Sequence, residues 1–429
     1  MISQIIFLCL FTAAIVMFSL NARRIYRNIK LGKPVDRTEH PGERLKLMLL
    51  VAFGQKKMFK KPLPALLHLM VYIGFCIINI EMLEIVIDGI FGTHRVFAQM
   101  GEFYNFLIFC FEILAFGVLF SCIIFLIRRN VMSIFRFKGS ELKNWPKTDA
   151  NLILLTEILL MSAFIIMNAA DYKLQEMHIP PYSAAGSFPI SNLLVEVLPN
   201  NTSTLIAIER SAWWFHIIGV MLFLNYLPIS KHLHILLAFP NTYFTKLDPK
   251  GKFENIESVT MEVKAMLNPS IPPPDGEIAR FGVKDVQDLT WKNLLDAYTC
   301  TECGRCTAAC PANITGKLLS PRKIMMDTRD RLEELSVHLS SNPGQKDDGK
   351  ALIDDYITRE ELWACTTCNA CVEQCPVNIN PLEIIIGLRQ YAVLEESKAP
   401  SSVNAMFTNI ENNGAPWKYA QADRANWAK

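Results

Sequence analysis

Net charge is nearly absent from this chain. Its 43 Lys and Arg stand against 41 Asp and Glu, a formal charge of +2, which excludes a nucleic-acid binder relying on bulk positive charge. It contains no GxGxxG fingerprint and no P-loop, so the usual backbone cradles for a dinucleotide or a triphosphate are missing. Cysteine is scarce too, with twelve in 429 residues. Eight of the twelve sit in two tight clusters, which is not how a secreted disulfide scaffold is built. Apolar residues are in excess: 51% are hydrophobic although 20% are charged, and mean hydropathy is +0.21. That combination excludes a purely soluble enzyme and a disordered chain. The two residue classes are segregated, with apolar runs crowding residues 1–230 and the rest reading as a soluble protein.

Five stretches, about residues 2–22, 66–91, 103–127, 150–170 and 208–230, are long and apolar enough to span a bilayer, which takes roughly 20 residues per helix. Residues 23–61 carry twelve Lys and Arg and residues 128–147 carry six, whereas the opposite loops hold only Arg95, Lys173 and Arg210. Positive charge marks the inner side, so the N-terminus is expected outside and the C-terminal part in the cytoplasm of a bacterial inner membrane. The first span has no positive charge before it and many after it, the reverse of a secretory signal peptide. Segment 46–61 is too short and basic to span and is expected to lie as a helix along the inner surface.

Polar residues within spans are costly and therefore candidates for function. His68 stands near the inner end of the second span, and His216 and His234 stand on the fifth. Their separation of 18 residues is five helical turns, so both are expected on one face, about 27 Å apart; His232 is off that face. Neutral imidazole ligates haem iron well, and depth pairs His68 with His234 as axial ligands of a haem near the cytoplasmic surface. Glu81, Glu112 and His216 share one depth on the outer side, which suggests a site where a quinol hydroxyl is bound and its proton released; the bland alternative is an interhelical hydrogen bond.

The stretch HIIGVMLFLNYLPISKHLH (216–234) resembles the last helix of the membrane cytochrome b subunit of respiratory nitrate reductases. Five spans and an outside N-terminus agree with that family, which usually holds two b haems. The position of its second ligand on the second helix is Ile78 here, so the resemblance implies one haem b, and a second would have to join His216 to a different partner, of which Met82 is the one sulfur candidate on that helix.

After Pro240 a linker, expected over 240–283, contains the spacer NPSIPPPDG (268–276). An amphipathic helix about 284–298 leads into two runs of identical spacing, Cys300, Cys303, Cys306 and Cys310-Pro311, then Cys365, Cys368, Cys371 and Cys375-Pro376. In the two-cluster ferredoxin run the fourth cysteine ligates the other cluster. One [4Fe–4S] cluster is therefore expected on Cys300, Cys303, Cys306 and Cys375, the other on Cys365, Cys368, Cys371 and Cys310. Zinc is the alternative, but its sites use paired CxxC arms and four ligands. The 54 residues between the runs hold a helix at 321–336 and a polar, mobile stretch around 340–350.

With that insert, CTECGRCTAACPANITGKLLSP and LWACTTCNACVEQCPVNINP resemble the membrane-bound iron–sulfur oxidoreductases related to heterodisulfide reductase. The resemblance implies an all-α chain: a five-helix transmembrane cytochrome b bundle (1–239), then an α-helical two-cluster ferredoxin domain (284–395) and a partner-docking tail (396–429) with Trp417, Tyr419 and Trp427. Longer members continue into CCG domains, and no CCG sequence occurs here. The expected function is that of an oxidoreductase subunit carrying electrons between menaquinone or another quinone and a cytoplasmic redox partner through haem b and two clusters. The substrate site would then lie on a separate CCG-domain subunit, fed for example by an electron-transfer flavoprotein. The alternative from a different class is a non-haem membrane anchor holding a ferredoxin module in an assembly or transport complex.

Overall fold

The computed structural model describes residues 1–268, 270 and 280–429; most of the expected spacer at 268–276 lies outside them. Among the described residues the regular structure is helical, with two isolated bridge pairs, Lys33 with Thr290 and Ile353 with Ile357. They fall into two compact units. The first comprises Met1–Arg27, His40–Phe244 and Tyr298–Gly304, the second Asn28–Glu39, Thr245–Ala297 and Arg305–Lys429. Two short segments thus belong to the unit that their position in the chain does not suggest.

The first unit is built on α1 (Ile2–Ile29), α2 (Pro41–Met48), α3 (Pro62–Phe91), α4 (Glu102–Asn130), α5 (Trp145–Glu176), α6 (Thr202–Tyr226) and α7 (His234–Tyr243). Five helices, α1, α3, α4, α5 and α6 with its last turn, are long and apolar enough to cross a membrane. On α4 the buried residues Tyr104, Ile108, Phe111, Ala115, Val118 and Cys122 recur every three or four positions, the stripe that a helix presents to its neighbours. Between them Phe103, Phe106, Phe116 and Phe120 are exposed, which is stable only where lipid replaces water. Helix α1 joins the bundle through Phe7, fully buried and so close to Gly89 of α3 that a Cβ there would meet its ring at 2.5 Å. Helix α2 passes into a π-helical turn, Leu49–Phe53, with Leu45, Leu49, Leu50 and Phe53 exposed, the apolar side of a surface-lying segment.

Continuity of the fifth helix fails. Helix α6 stops at Tyr226, Pro228 follows, Ser230 is extended (φ −118°, ψ 151°), and His234 opens the separate helix α7. Proline has no N–H to continue the ladder, and Asp149 of α5 fixes the break. Its carboxylate accepts from Tyr226 Oη (2.6 Å), Ser230 Oγ (2.7 Å) and the Lys231 amide (3.1 Å). His216 and His234 therefore do not share one helical face, and the five-turn phasing between them does not apply.

The second unit contains α8 (Glu257–Leu267), most of α9 (Trp291–Thr299), α10 (Pro321–Ser341), α11 (Pro381–Leu394) and α12 (Ser401–Asn413). Ser320 caps α10 through the Lys323 amide, with Pro321 at its first position. One face of α10 buries Ile324, Leu332 and Leu335; Leu352, Leu362, Ile384 and Leu388 complete the core. Arg331, fully buried, pairs with Asp285 (2.6 Å) and Asp348 (2.7 Å) and donates to the Lys350 carbonyl (2.9 Å). The 340–350 stretch, expected mobile, is thereby tied to α10 at its far end. The segment after α1 is tied as firmly: the Lys33 amide donates to Leu289 O (2.7 Å), the Trp291 amide to Lys33 O (3.0 Å), and the Trp291 indole to Val35 O (2.9 Å).

Candidate redox centres

His68 sits in the second turn of α3 and His234 at the start of α7. Their imidazole centroids are 6.4 Å apart with planes 46° from parallel. Each ring is oriented through Nδ1, that of His68 by Gln55 Oε1 (3.1 Å) and that of His234 by the Lys231 carbonyl (3.1 Å). Gln55 reaches its place because the chain turns through a left-handed residue (φ 49°) directly after the π-helical turn. A neutral imidazole that donates from Nδ1 keeps its lone pair on Nε2. Burial lowers the basicity of His234 and pushes His232 down to about 3, with His234 and His68 adding to the effect on His232. The two rings would be able to hold one iron between them, which would supply one-electron redox chemistry, and the Nδ1 acceptors are the outer-shell partners that metal-ligating histidines use.

His216 is buried on α6; its Nδ1 donates to Leu160 O (3.0 Å) and its ring lies 5.9 Å from Phe164. Met82 packs against the apolar core of the bundle.

Near the C-terminal end of α3 a cavity of about 210 Å³ is lined by Phe7, Glu81, His94, Asp171, Glu209 and Trp213 among others. Glu81 is 3% exposed and its Oε2 has no hydrogen-bond partner. A buried polar atom left unmatched calls for an explanation, since it carries a full desolvation cost. Its neighbours are satisfied. Arg95 donates to Asp171 (2.7 Å), Tyr104 Oη (3.1 Å) and Asn168 (2.9 Å), and His94 Nε2 stands 3.3 Å from Asp171. Glu112, expected beside Glu81, does not line the cavity. Both its oxygens are taken by Asn168 (2.9 Å), Ser191 Oγ (2.7 Å) and the amides of Ile190 (3.1 Å) and Ser191 (2.7 Å), so it anchors the loop between α5 and α6. In the sequence Arg95 counted only toward topology; in the structure it is the centre of a buried polar network.

The two cysteine runs fold alike. In each, the residue before the second cysteine and the residue after it are left-handed: Glu302 (φ 55°) and Gly304 (φ 71°), then Thr367 (φ 54°) and Asn369 (φ 60°). Glycine and asparagine are the residues that adopt this region at least cost. A short helix follows each loop, Arg305–Ala308 and Ala370–Gln374. Within the second unit Cys310 lies within electrostatic reach of Cys365 and Cys371, which also interact with each other and with Cys368. Burial pushes the Cys371 thiol up to about 12, and these neighbouring thiols add to it. Cys300 and Cys303 belong to the first unit, Cys306 and Cys375 to the second. Among the described residues no three His, Cys, Asp or Glu side chains are close enough to hold a single metal ion; thiols around a four-iron cube stand farther apart than those around one ion. Amides donate to several of the sulfurs, among them Thr367 to Cys365 (3.4 Å), Ile379 to Cys375 (3.3 Å) and Val372 to Cys371. Arg389 donates to the carbonyls of Leu362 (3.0 Å) and Cys365 (2.6 Å) and stacks on Trp363 at 4.9 Å.

Similarity to known proteins is most specific over the C-terminal part. Residues 292–376 match the family described as a 4Fe-4S dicluster domain. Over 99% of its length the chain is 30% identical to the probable iron-sulfur-binding oxidoreductase FadF of Bacillus subtilis, covering 60% of that protein. Over 92% it is 26% identical to the EtfAB:quinone oxidoreductase of Syntrophomonas wolfei, covering 55% of it. Over an alignment of 171 positions, taking in 36% of this chain and 25% of the relative, it is 33% identical to a probable membrane-anchored ferredoxin of Chromohalobacter salexigens. C subunits of CoB–CoM heterodisulfide reductases match about a quarter of the chain. No solved structure matches. The chain thus has iron–sulfur electron-transfer oxidoreductases as homologues and carries a dicluster domain, while it spans only about three-fifths of the length of its first two relatives.

Proposed function

We propose that the chain is the membrane electron-transfer part of a quinone-linked oxidoreductase, joining the quinone pool to a cytoplasmic redox partner. The observation that carries this reading is the facing pair His68 and His234, each ring fixed through Nδ1, in a chain that also has a dicluster domain. These two residues would hold a haem b. Cys300, Cys303, Cys306 and Cys375 would hold one [4Fe–4S] cluster, and Cys365, Cys368, Cys371 and Cys310 the other. When bound, these groups supply one-electron redox chemistry. The chain's own residues fix the orientation of both imidazoles and bury four of the eight cysteines, Cys300, Cys310, Cys371 and Cys375.

A quinone gains two electrons and two protons when it is reduced. The quinone head group would occupy the outer cavity, where Glu81 Oε2 is placed to give or take a proton, while Glu112 holds the loop rather than the ligand. His216 remains the candidate for a second haem. The positive-inside asymmetry supports an outside N-terminus and a cytoplasmic ferredoxin domain. The name borne by the Syntrophomonas relative supports a flavoprotein as electron source and quinone reduction as the direction.

The membrane-anchored ferredoxin relative favours a second reading, an anchor without haem. Visible spectroscopy of the purified protein separates the two: a reduced b-type band that a quinol can generate supports the first. Glu81→Gln is expected to slow that reduction by about 10²-fold or more with haem content unchanged; wild-type kinetics in this variant would remove Glu81 from the site.

A further inference from the structure

Lys231 lies between two candidate redox sites that the sequence places far apart. Its backbone carbonyl orients His234 (3.1 Å). Its side chain, 9% exposed, donates to Pro146 O (2.7 Å), stands 3.7 Å from Asp149 and forms an ion pair with Glu302, whose side chain is 3% exposed. Glu302 is the left-handed residue between Cys300 and Cys303. All of these residues lie in the first unit, which takes in Tyr298–Gly304 although the rest of the dicluster region does not belong to it.

We infer that Lys231 is a positioning residue that fastens the first cysteine loop to the turn carrying the His234 ligand, holding the two redox sites at one spacing. This rests on the function proposed above, in which His234 and the Cys300–Cys303 loop serve a haem and a cluster. The physical argument is the cost of the alternative. Glu302 and Asp149 are both buried carboxylates that face the ammonium, and removing it breaks a buried ion pair, which is strongly unfavourable. The loop would relieve that by moving out toward water. A loop that carries two cluster ligands next to a left-handed residue has no regular hydrogen-bond ladder to resist such a movement. The backbone half of the junction survives any side-chain change at position 231, so His234 should stay oriented while the loop moves.

The test uses the full chain with its cofactors in nanodiscs. In Lys231→Met, amide exchange over 298–304 is expected to accelerate about tenfold, equivalent to about 1.4 kcal/mol, while exchange at the start of α7 stays unchanged. Equilibration between haem and clusters should slow by about tenfold or more, the scale that ångström displacements of reacting groups produce. Lys231→Arg should restore both. Wild-type exchange and equilibration in Lys231→Met would overturn the inference. If that variant does not accumulate, Glu302→Gln keeps the side chain's size and removes the charge: faster exchange at 298–304 supports the junction and unchanged exchange overturns it. A wild-type protein without haem would instead defeat the proposed function, while the exchange measurement would still decide whether Lys231 holds the loop.

Discussion

Replacing Arg331 by methionine removes the one cation shared by Asp285 and Asp348. The guanidinium is fully buried, and the two carboxylates are only 12% and 9% exposed. Methionine fills much of the same volume, so the main effect is electrostatic. Two carboxylates are left facing each other with little water, and the Lys350 carbonyl loses its donor. Breaking a buried pair in this way costs about 3–5 kcal/mol, a drop of about 10² to 10³ or more in the folding equilibrium. Asp348→Asn keeps the Asp285 pair and should cost less than half as much. The assay is guanidinium denaturation of the detergent-solubilised protein, followed by tryptophan fluorescence and by cluster absorbance. The pH dependence carries a sign that can be checked. Arg331 holds Asp348 down at about 2, below its usual value of 3.8. A depressed carboxylate contributes stability that is in place above about pH 4 and is lost as pH falls toward 2. Wild type should therefore lose more stability than Asp348→Asn across that window. A midpoint shift worth under about 1 kcal/mol for Arg331→Met would refute the idea that this pair pins the 340–350 stretch.

Three other substitutions probe the redox sites. Gln55→Leu removes the acceptor from His68 Nδ1, which makes the imidazole a weaker base; haem content should persist while its midpoint potential rises, and an unchanged potential in a redox titration would discount Gln55. Arg389→Met removes a cation from beside Cys365, so the midpoint of one of two clusters should fall in an EPR titration while the other stays put; equal shifts in both would contradict the placement of Cys365 in a single cluster. Asn369→Ala puts an ordinary residue at φ 60° and is expected to cost about 1 kcal/mol or more and lower cluster occupancy, with Asn369→Gly tolerated; iron analysis that finds both variants full would show the turn to be slack.

Much of this arrangement is legible in the order of residues, because its signals are local. Apolar length gives the five spans, and the identical cysteine spacings mark the two ligand loops. What stays hidden depends on partners far along the chain. Nothing near Glu112 says that Ser191, 79 residues on, will fill its oxygens, and nothing near Arg95 says that Asp171 and Asn168 will bury it. The break before His234 is an intermediate case. Pro228 is visible as a helix breaker, yet only Asp149 of another helix explains why the chain resumes where His234 meets His68. The attachment of Lys33 and Val35 to the Leu289–Trp291 segment carries no motif at all, since it is made through backbone groups that every residue possesses.

The proposed function requires one polypeptide to hold a haem between His68 and His234 together with two iron–sulfur clusters. This is decided by the quantity of haem, non-haem iron and acid-labile sulfide per purified chain, in wild type and in the His68→Ala and His234→Ala variants. Wild type is expected to hold about one or two haems and about eight non-haem irons, with each histidine variant losing one haem and keeping its eight irons. A wild-type protein with full iron and sulfide but no haem, or histidine variants with unchanged haem content, would contradict it.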